Sequence, residues 1–160
     1  MLRNHADTKN LVKQGKTKNV GVSNFSACAK RTILREHGLN LASNQVKYSL
    51  LDRRNEQNGI LDTAKELGVA IIAYSPLEQG VLSGKFHRNP TLVKSISGPR
   101  KWGASFRASG MKKSKPLIDV LEQLALKYDA SPTQIALNWV ILANEKMVFA
   151  IPGASKVRYF

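Results

Sequence analysis

The side chains of this sequence that could grip a ligand sit directly after short apolar runs. Ser23-Asn24 follows Val20-Gly21-Val22, and Gln45 and Tyr48 lie within the stretch from Ala42 to Leu51. Tyr74-Ser75-Pro76-Leu77-Glu78-Gln79-Gly80 follows Val69–Ala73, and Pro152-Gly153-Ala154-Ser155-Lys156 follows Met147–Ile151. Together these positions supply amides and hydroxyls, two aromatic rings, a Gly- and Ser-bearing loop, and a cation. That set suits a flat polar ring carrying phosphates. It has no His, Cys or carboxylate cluster at metal-ligand spacing, and no nucleophile beside a base.

Positions after strands carry ligands in parallel α/β folds, so the elements must be of that kind. Val20–Val22 reads as a strand, followed by a turn and a helix from Ala27 to His37, with Ser26 as its N-cap and Gly38 just past its end. Ala42–Leu51 reads as a second strand. Gln57–Leu67 reads as a helix with Ile60, Leu61, Ala64 and Leu67 on one face, closed by Gly68. Val69–Tyr74 is a continuous apolar run, as a parallel strand covered on both faces requires. Ser75–Lys113 is long and irregular. Ser114, with Pro116 just inside, predicts a helix start and an end near Tyr128. Ser131-Pro132-Thr133-Gln134 has the capping-box pattern and opens a helix to about Asn144. Met147–Ile151 is a fourth strand. The order βαβαβααβ predicts parallel strands with right-handed crossovers. It leaves a doubly wound sheet and a barrel equally open.

Charge is the unusual bulk property. The chain has 25 Lys and Arg against 11 Asp and Glu, a net charge of +14. Nine of the cations, and none of the acids, lie between Lys85 and Lys115. That stretch reads either as a polyanion contact or as a solvated loop. Its aromatics are Phe86, Trp102 and Phe106 and it contains no nucleic-acid-binding module, which disfavours a nucleic-acid partner. No apolar run approaches the ~20 residues that span a bilayer, and the first residues carry no secretory h-region. The single cysteine, Cys28, excludes an internal disulfide, fits a reducing cytoplasm, and reads as a reactive thiol or as a small helix residue. His5, His37 and His87 are expected in solvent, and Trp139 in the core.

The strings GKTKNVGVSNFS, LASNQVKYSLLDRR, LGVAIIAYSPLEQGVLSGKF, SPTQIALNWVI and AIPGASK resemble successive signatures of the aldo-keto reductases, in that family's order. The resemblance runs from about Leu11 to Lys156. It implies residues 11–160 as a truncated NADP-dependent oxidoreductase domain, with 1–10 an unmatched segment. The implied fold is α/β: four parallel βα units corresponding to strands five to eight of a (β/α)8 barrel, hence a half barrel. It also implies an NADP(H) site. Ser23, Asn24 and Gln45 would hold the nicotinamide carboxamide, and Tyr74 would stack on the ring. Ser75, Leu77, Gln79 and Leu82 would follow the pyrophosphate and ribose, and Ser155 and Lys156 would meet the 2′-phosphate.

The full family moves a hydride between the nicotinamide and an aldehyde or ketone. Its catalytic Tyr, Lys, Asp and His come from the first half of the barrel, to which nothing here corresponds, so the resemblance implies no catalytic residue. The chain is expected to be inactive alone and to meet a carbonyl substrate only if the other half is supplied. The alternative is a non-catalytic cofactor-binding or interaction protein. A half barrel has open edges and an open inner face, so self-association, pairing with a separate N-terminal half, or a marginal, aggregation-prone fragment is expected.

Overall fold

The structure is a computed structural model, and it describes residues 3–37, 40–96, 98, 102–145 and 147–153. Four strands form one sheet in the order β1 (Val20–Ser23), β2 (Leu41–Lys47), β3 (Ala70–Tyr74), β4 (Val148–Ile151). Every neighbouring pair is parallel. The expected four parallel βα units are therefore present, in the half-barrel arrangement.

Alternation along the strands divides the sheet into two unlike faces. Val46, Tyr48, Ile71, Ala73 and Val148 are buried on one face. Beneath them pack Ile33 of α2 (Ala27–His37), Ile60, Leu61 and Ala64 of α4 (Ile60–Glu66), and Val140 of α8 (Pro132–Leu142). Across the other face run Ser43, Gln45, Lys47, Ile72 and Tyr74, all half-buried, with Phe149 and Ile151 exposed. Period-2 geometry makes this division unavoidable once one face meets helices.

The helices depart from the sequence expectation in instructive ways. A helix, α1 (Arg3–Lys13), precedes β1, where the sequence reading assigned no element; its Val12 packs against the main core. The helix expected over Gln57–Leu67 is shorter, α4 alone, and a separate short helix, α3 (Arg54–Gln57), precedes it; the two are parted at Gly59, whose φ of 76° is left-handed. Asn58 bridges the break, its Oδ1 accepting from the Ile60 N–H at 3.1 Å.

The stretch after β3 is ordered into short pieces: a 3-10 turn over Glu78–Ser83, α5 (Lys85–Arg88), α6 (Thr91–Lys94) and a second 3-10 turn over Ala104–Phe106. Phe86 and Phe106 meet edge to face at 5.2 Å and, with Val81 and Ile96, form a small core of their own. Then α7 (Ala108–Lys127) begins six residues before the expected start. Ser114 is no N-cap: it is buried, and its hydroxyl donates to the Met111 carbonyl at 3.2 Å. Pro116 lies inside the helix. Gly110 lets the helix start there, because a Cβ at that position would sit 2.2 Å from the Ala104 carbonyl oxygen. The capping box is as expected. Ser131 Oγ accepts from the Gln134 N–H, and Gln134 Oε1 accepts from the Ser131 N–H.

Candidate functional site

Ser23, Asn24, Gln45 and Tyr74 converge at the carboxyl end of the sheet. Parallel register sets Ser23 opposite Gln45, Gln45 opposite Ile72, and Lys47 opposite Tyr74. The Asn24 N–H continues the ladder, donating to the Gln45 carbonyl at 2.8 Å. Asn24 then turns the chain with a left-handed φ of 56°, which Asn tolerates better than most residues. Three longer contacts link the side chains. Ser23 Oγ donates to the Gln45 carbonyl at 3.2 Å, Asn24 Nδ2 to Ser23 Oγ at 3.3 Å, and the Tyr74 hydroxyl to Asn24 Oδ1 at 3.4 Å. Bonds at these distances are weak, so the same groups are available to a ligand that offers better geometry.

The loop after β3 is the second component. Ser75, Glu78, Gln79 and Gly80 all have left-handed φ, between 46° and 93°. Runs of this kind turn main-chain N–H groups into anion-binding concavities. Glu78 pins the loop: its Oε1 accepts from Lys47 Nζ at 2.8 Å and from Ser105 Oγ at 2.9 Å. Its Oε2 is buried without a partner. Lys47 also lies 3.7 Å from Asp52, whose carboxyl is held below its ordinary pKa by hydrogen bonds from Arg54, the largest influence on it. Of the loop residues singled out from sequence, Ser75 and Leu77 are half-buried and Gln79 is exposed. Leu82 is wholly buried against Ile118, Leu121 and Ala136, so its side chain is core and only its main chain could meet a ligand. Ser155 and Lys156 lie outside the described residues.

Glu78 and Lys47 escaped the sequence reading. The signal was present: Lys47 is in phase with Gln45 on the strand, and an acid two residues past a Pro in the ligand-facing turn needs a counter-charge. Lys30 was missed as well. It is 1% exposed, and its Nζ donates to the Ile60 carbonyl at 2.9 Å. Burial lowers its pKa to about 8. His87, expected in solvent, is half-buried, with Nε2 3.0 Å from Ser114 Oγ and 3.2 Å from the Met111 carbonyl. The side chains of His5 and His37 lie outside the description.

The helical face carries a cavity of about 490 Å³ lined by residues including Arg53, Glu56, Asp62, Trp139 and Asn144. Arg53, Glu56 and Asn144 are already engaged within the protein. Arg53 donates to Glu56 through Nε and Nη2 and lies 5.2 Å from the Trp139 ring. The Tyr48 hydroxyl donates to Glu56 and accepts from Asn144. Burial first, then the bond to Glu56, raises the Tyr48 pKa well above the ordinary phenol value. This is a structural network, distinct from the row at the strand ends.

Among the described residues no group of three or more His, Cys, Asp and Glu could hold a metal ion. No helix among them is long and apolar enough to cross a membrane.

A sequence profile of the aldo/keto reductase family matches residues 5–159. The chain is 35% identical over 152 residues to aldo-keto reductase str7 of Strobilurus tenacellus, covering 93% of this chain and 44% of that protein. A solved thermostable aldo-keto reductase in complex with the inhibitor epalrestat superposes with a TM-score of 0.67 at 27% identity, covering 96% of this chain and 44% of that one. An aldo/keto reductase from Klebsiella pneumoniae in complex with NADP and acetate gives 0.63 at 25% identity, covering 94% and 43%. The chain thus spans less than half the length of these relatives.

Proposed function

Since this chain belongs to the aldo/keto reductase family, we propose that its strand-end row is a nicotinamide seat and that the cofactor it takes is NADP(H). The observation that carries the reading is the convergence of Ser23, Asn24, Gln45 and Tyr74 on one end of one sheet face. The donor set fits the group. A carboxamide both donates and accepts, and so do the side chains of Asn24 and Gln45. The Tyr74 ring, half-buried on the open face, offers a flat apolar surface to a flat ring.

Bound nicotinamide supplies or accepts a hydride. The chain's own residues do the rest of what this segment contributes. Asn24 and Gln45 fix which face of the ring is presented, Ser23 steadies both, and Tyr74 covers one side and excludes water. Ser75, Leu77, Gln79 and the main chain at Leu82 follow the pyrophosphate and ribose. Ser155 and Lys156 take the 2′-phosphate, where a lysine is an effective point-charge partner. None of these residues is a proton donor to a carbonyl. Reduction of an aldehyde or ketone therefore belongs to this segment only in company with the half that carries the family's acid-base tyrosine.

A second reading, a non-catalytic interaction protein that self-associates, draws on the exposed Phe149 and Ile151 of the open sheet face. Titration of the 160-residue chain with NADPH, followed by intrinsic fluorescence, tests the first reading. Saturable quenching that Gln45→Ala weakens is expected; no binding, or binding indifferent to Gln45, overturns it.

A further inference from the structure

We propose that Asn44, one position before Gln45 and on the opposite face of β2, is the residue that positions the nicotinamide seat; the proposal rests on the NADP(H) reading above. Asn44 is completely buried. Its side chain reaches back 19 residues and takes both main-chain groups of Phe25: Nδ2 donates to the Phe25 carbonyl at 2.9 Å, and Oδ1 accepts from the Phe25 N–H at 3.3 Å.

The consequence is a bracket around Asn24. On its N-terminal side, the Asn24 N–H is held by the carbonyl of Gln45. On its C-terminal side, Phe25 is held by the side chain of Asn44. The residue between adopts a left-handed φ of 56°, a conformation that persists only when its surroundings over-determine it. Two consecutive residues of β2 supply those surroundings, one through its main chain and one through its side chain. The turn that aims Ser23 and Asn24 is thereby locked to the strand that aims Gln45, so the three carboxamide-binding groups move as one unit. The chemistry is specific. Only a carboxamide is uncharged and able to donate and accept at once at this length. Leucine fills a similar volume but removes both of these hydrogen bonds to the Phe25 main chain.

The test uses Asn44→Leu in the 160-residue chain, with two readouts. In amide hydrogen exchange, Asn24 and Phe25 should exchange at least ~10-fold faster, while Ile71 and Ala73 in the neighbouring strand stay unchanged. In titrations, NADPH should bind at least ~5-fold more weakly, the order of one lost hydrogen bond. Binding of 2′,5′-ADP, which lacks the nicotinamide, should stay within about twofold. Unchanged exchange at Asn24 and Phe25, uniformly faster exchange across the sheet, or equal weakening of both ligands overturns the proposal. So does undiminished NADPH binding despite faster exchange. A wild-type chain that binds neither ligand defeats the cofactor reading instead, and the exchange readout still decides whether Asn44 holds the turn. Should Asn44→Leu fail to fold, Asn44→Ala, which removes the same two bonds without adding bulk or charge, should show the same split.

Discussion

Lys47 and Glu78 form an ion pair of 2.8 Å that ties the end of β2 to the loop after β3. The carboxylate is nearly buried while the ammonium keeps partial access to water, so the pair is worth more than a surface bridge and less than a fully buried one. Glu78→Ala is expected to lower unfolding free energy by about 1–2 kcal/mol, read from urea denaturation. Glu78→Gln, which retains an acceptor for Ser105, should lose less. A Glu78→Gln variant as stable as the wild-type chain would show that the charge on Glu78 contributes nothing.

Lys30 makes stability depend on pH in a definite direction. Its pKa falls from 10.5 to about 8 in the folded chain because burial disfavours the ammonium. Below about pH 8 the lysine is charged in both states and its full burial cost opposes folding. Between about 8 and 10.5 the unfolded chain binds more protons, so this group's contribution to stability improves as pH rises. Lys30→Met should therefore be the more stable protein at pH 7, by about 1–2 kcal/mol after allowing for the lost bond to the Ile60 carbonyl. Its advantage should shrink toward pH 10. A wild-type-to-variant difference that is flat across this range would refute the assignment.

How far the sequence reveals the molecule depends on what each signal encodes. Strands announced themselves as apolar runs such as Val69–Ala73, and Ser131-Pro132-Thr133-Gln134 carries its helix start in four residues. The start of α7 is not local: it depends on Gly110 accepting the close approach of Ala104, which no pattern around Ser114 and Pro116 reports. His87 and Lys30 look like solvated charges by type. Only the packing of α5 on α7, and of α2 on α4, encloses them. The row of Ser23, Asn24, Gln45 and Tyr74 was legible because parallel strands bring residues that follow apolar runs to one edge. The Glu78 and Asn44 contacts were not, since each spans a crossover.

Cofactor preference is expected to follow Lys156. If that lysine meets a 2′-phosphate, NADPH should bind more tightly than NADH, and the preference should fall as salt screens the contact. Lys156→Ala should bring the two affinities together. Calorimetric titration of both cofactors at low and moderate ionic strength decides it, and equal wild-type affinities would remove the phosphate assignment.

The 160-residue chain by itself should not turn over carbonyl compounds. General acid-base catalysis contributes roughly 10²–10⁴-fold, and in the proposed function the whole strand-end row serves the nicotinamide and supplies no acid to the carbonyl. NADPH absorbance with 4-nitrobenzaldehyde present should stay constant. Turnover of about 10 s⁻¹, an ordinary enzyme rate, would mean that this segment carries an acid of its own.

The open face of the sheet should drive self-association. Phe149 is 60% exposed and Ile151 47%. They stand on β4 opposite Ile72 and Tyr74 of β3, so the apolar half of this face is continuous across two strands. Toward β2 and β1 it becomes polar, with Lys47, Gln45 and Ser23. Covering about 400 Å² of apolar surface is worth ~10 kcal/mol at ~25 cal/mol/Å², against an association cost of roughly 4–15 kcal/mol. The two terms are of similar size, so a smaller third term sets the outcome. That term is electrostatic: a net charge of +14 on each copy opposes dimerisation, and salt screens the repulsion while leaving the apolar gain intact. The dimer fraction in sedimentation velocity should therefore rise from low to moderate ionic strength, the reverse of an association held by ion pairs. Phe149→Lys with Ile151→Lys should abolish it at every salt concentration, by removing the apolar gain and adding charge at the contact. A chain that stays monomeric throughout, and binds no dye specific for exposed apolar surface, would mean that this face is covered in solution by some part of the chain itself.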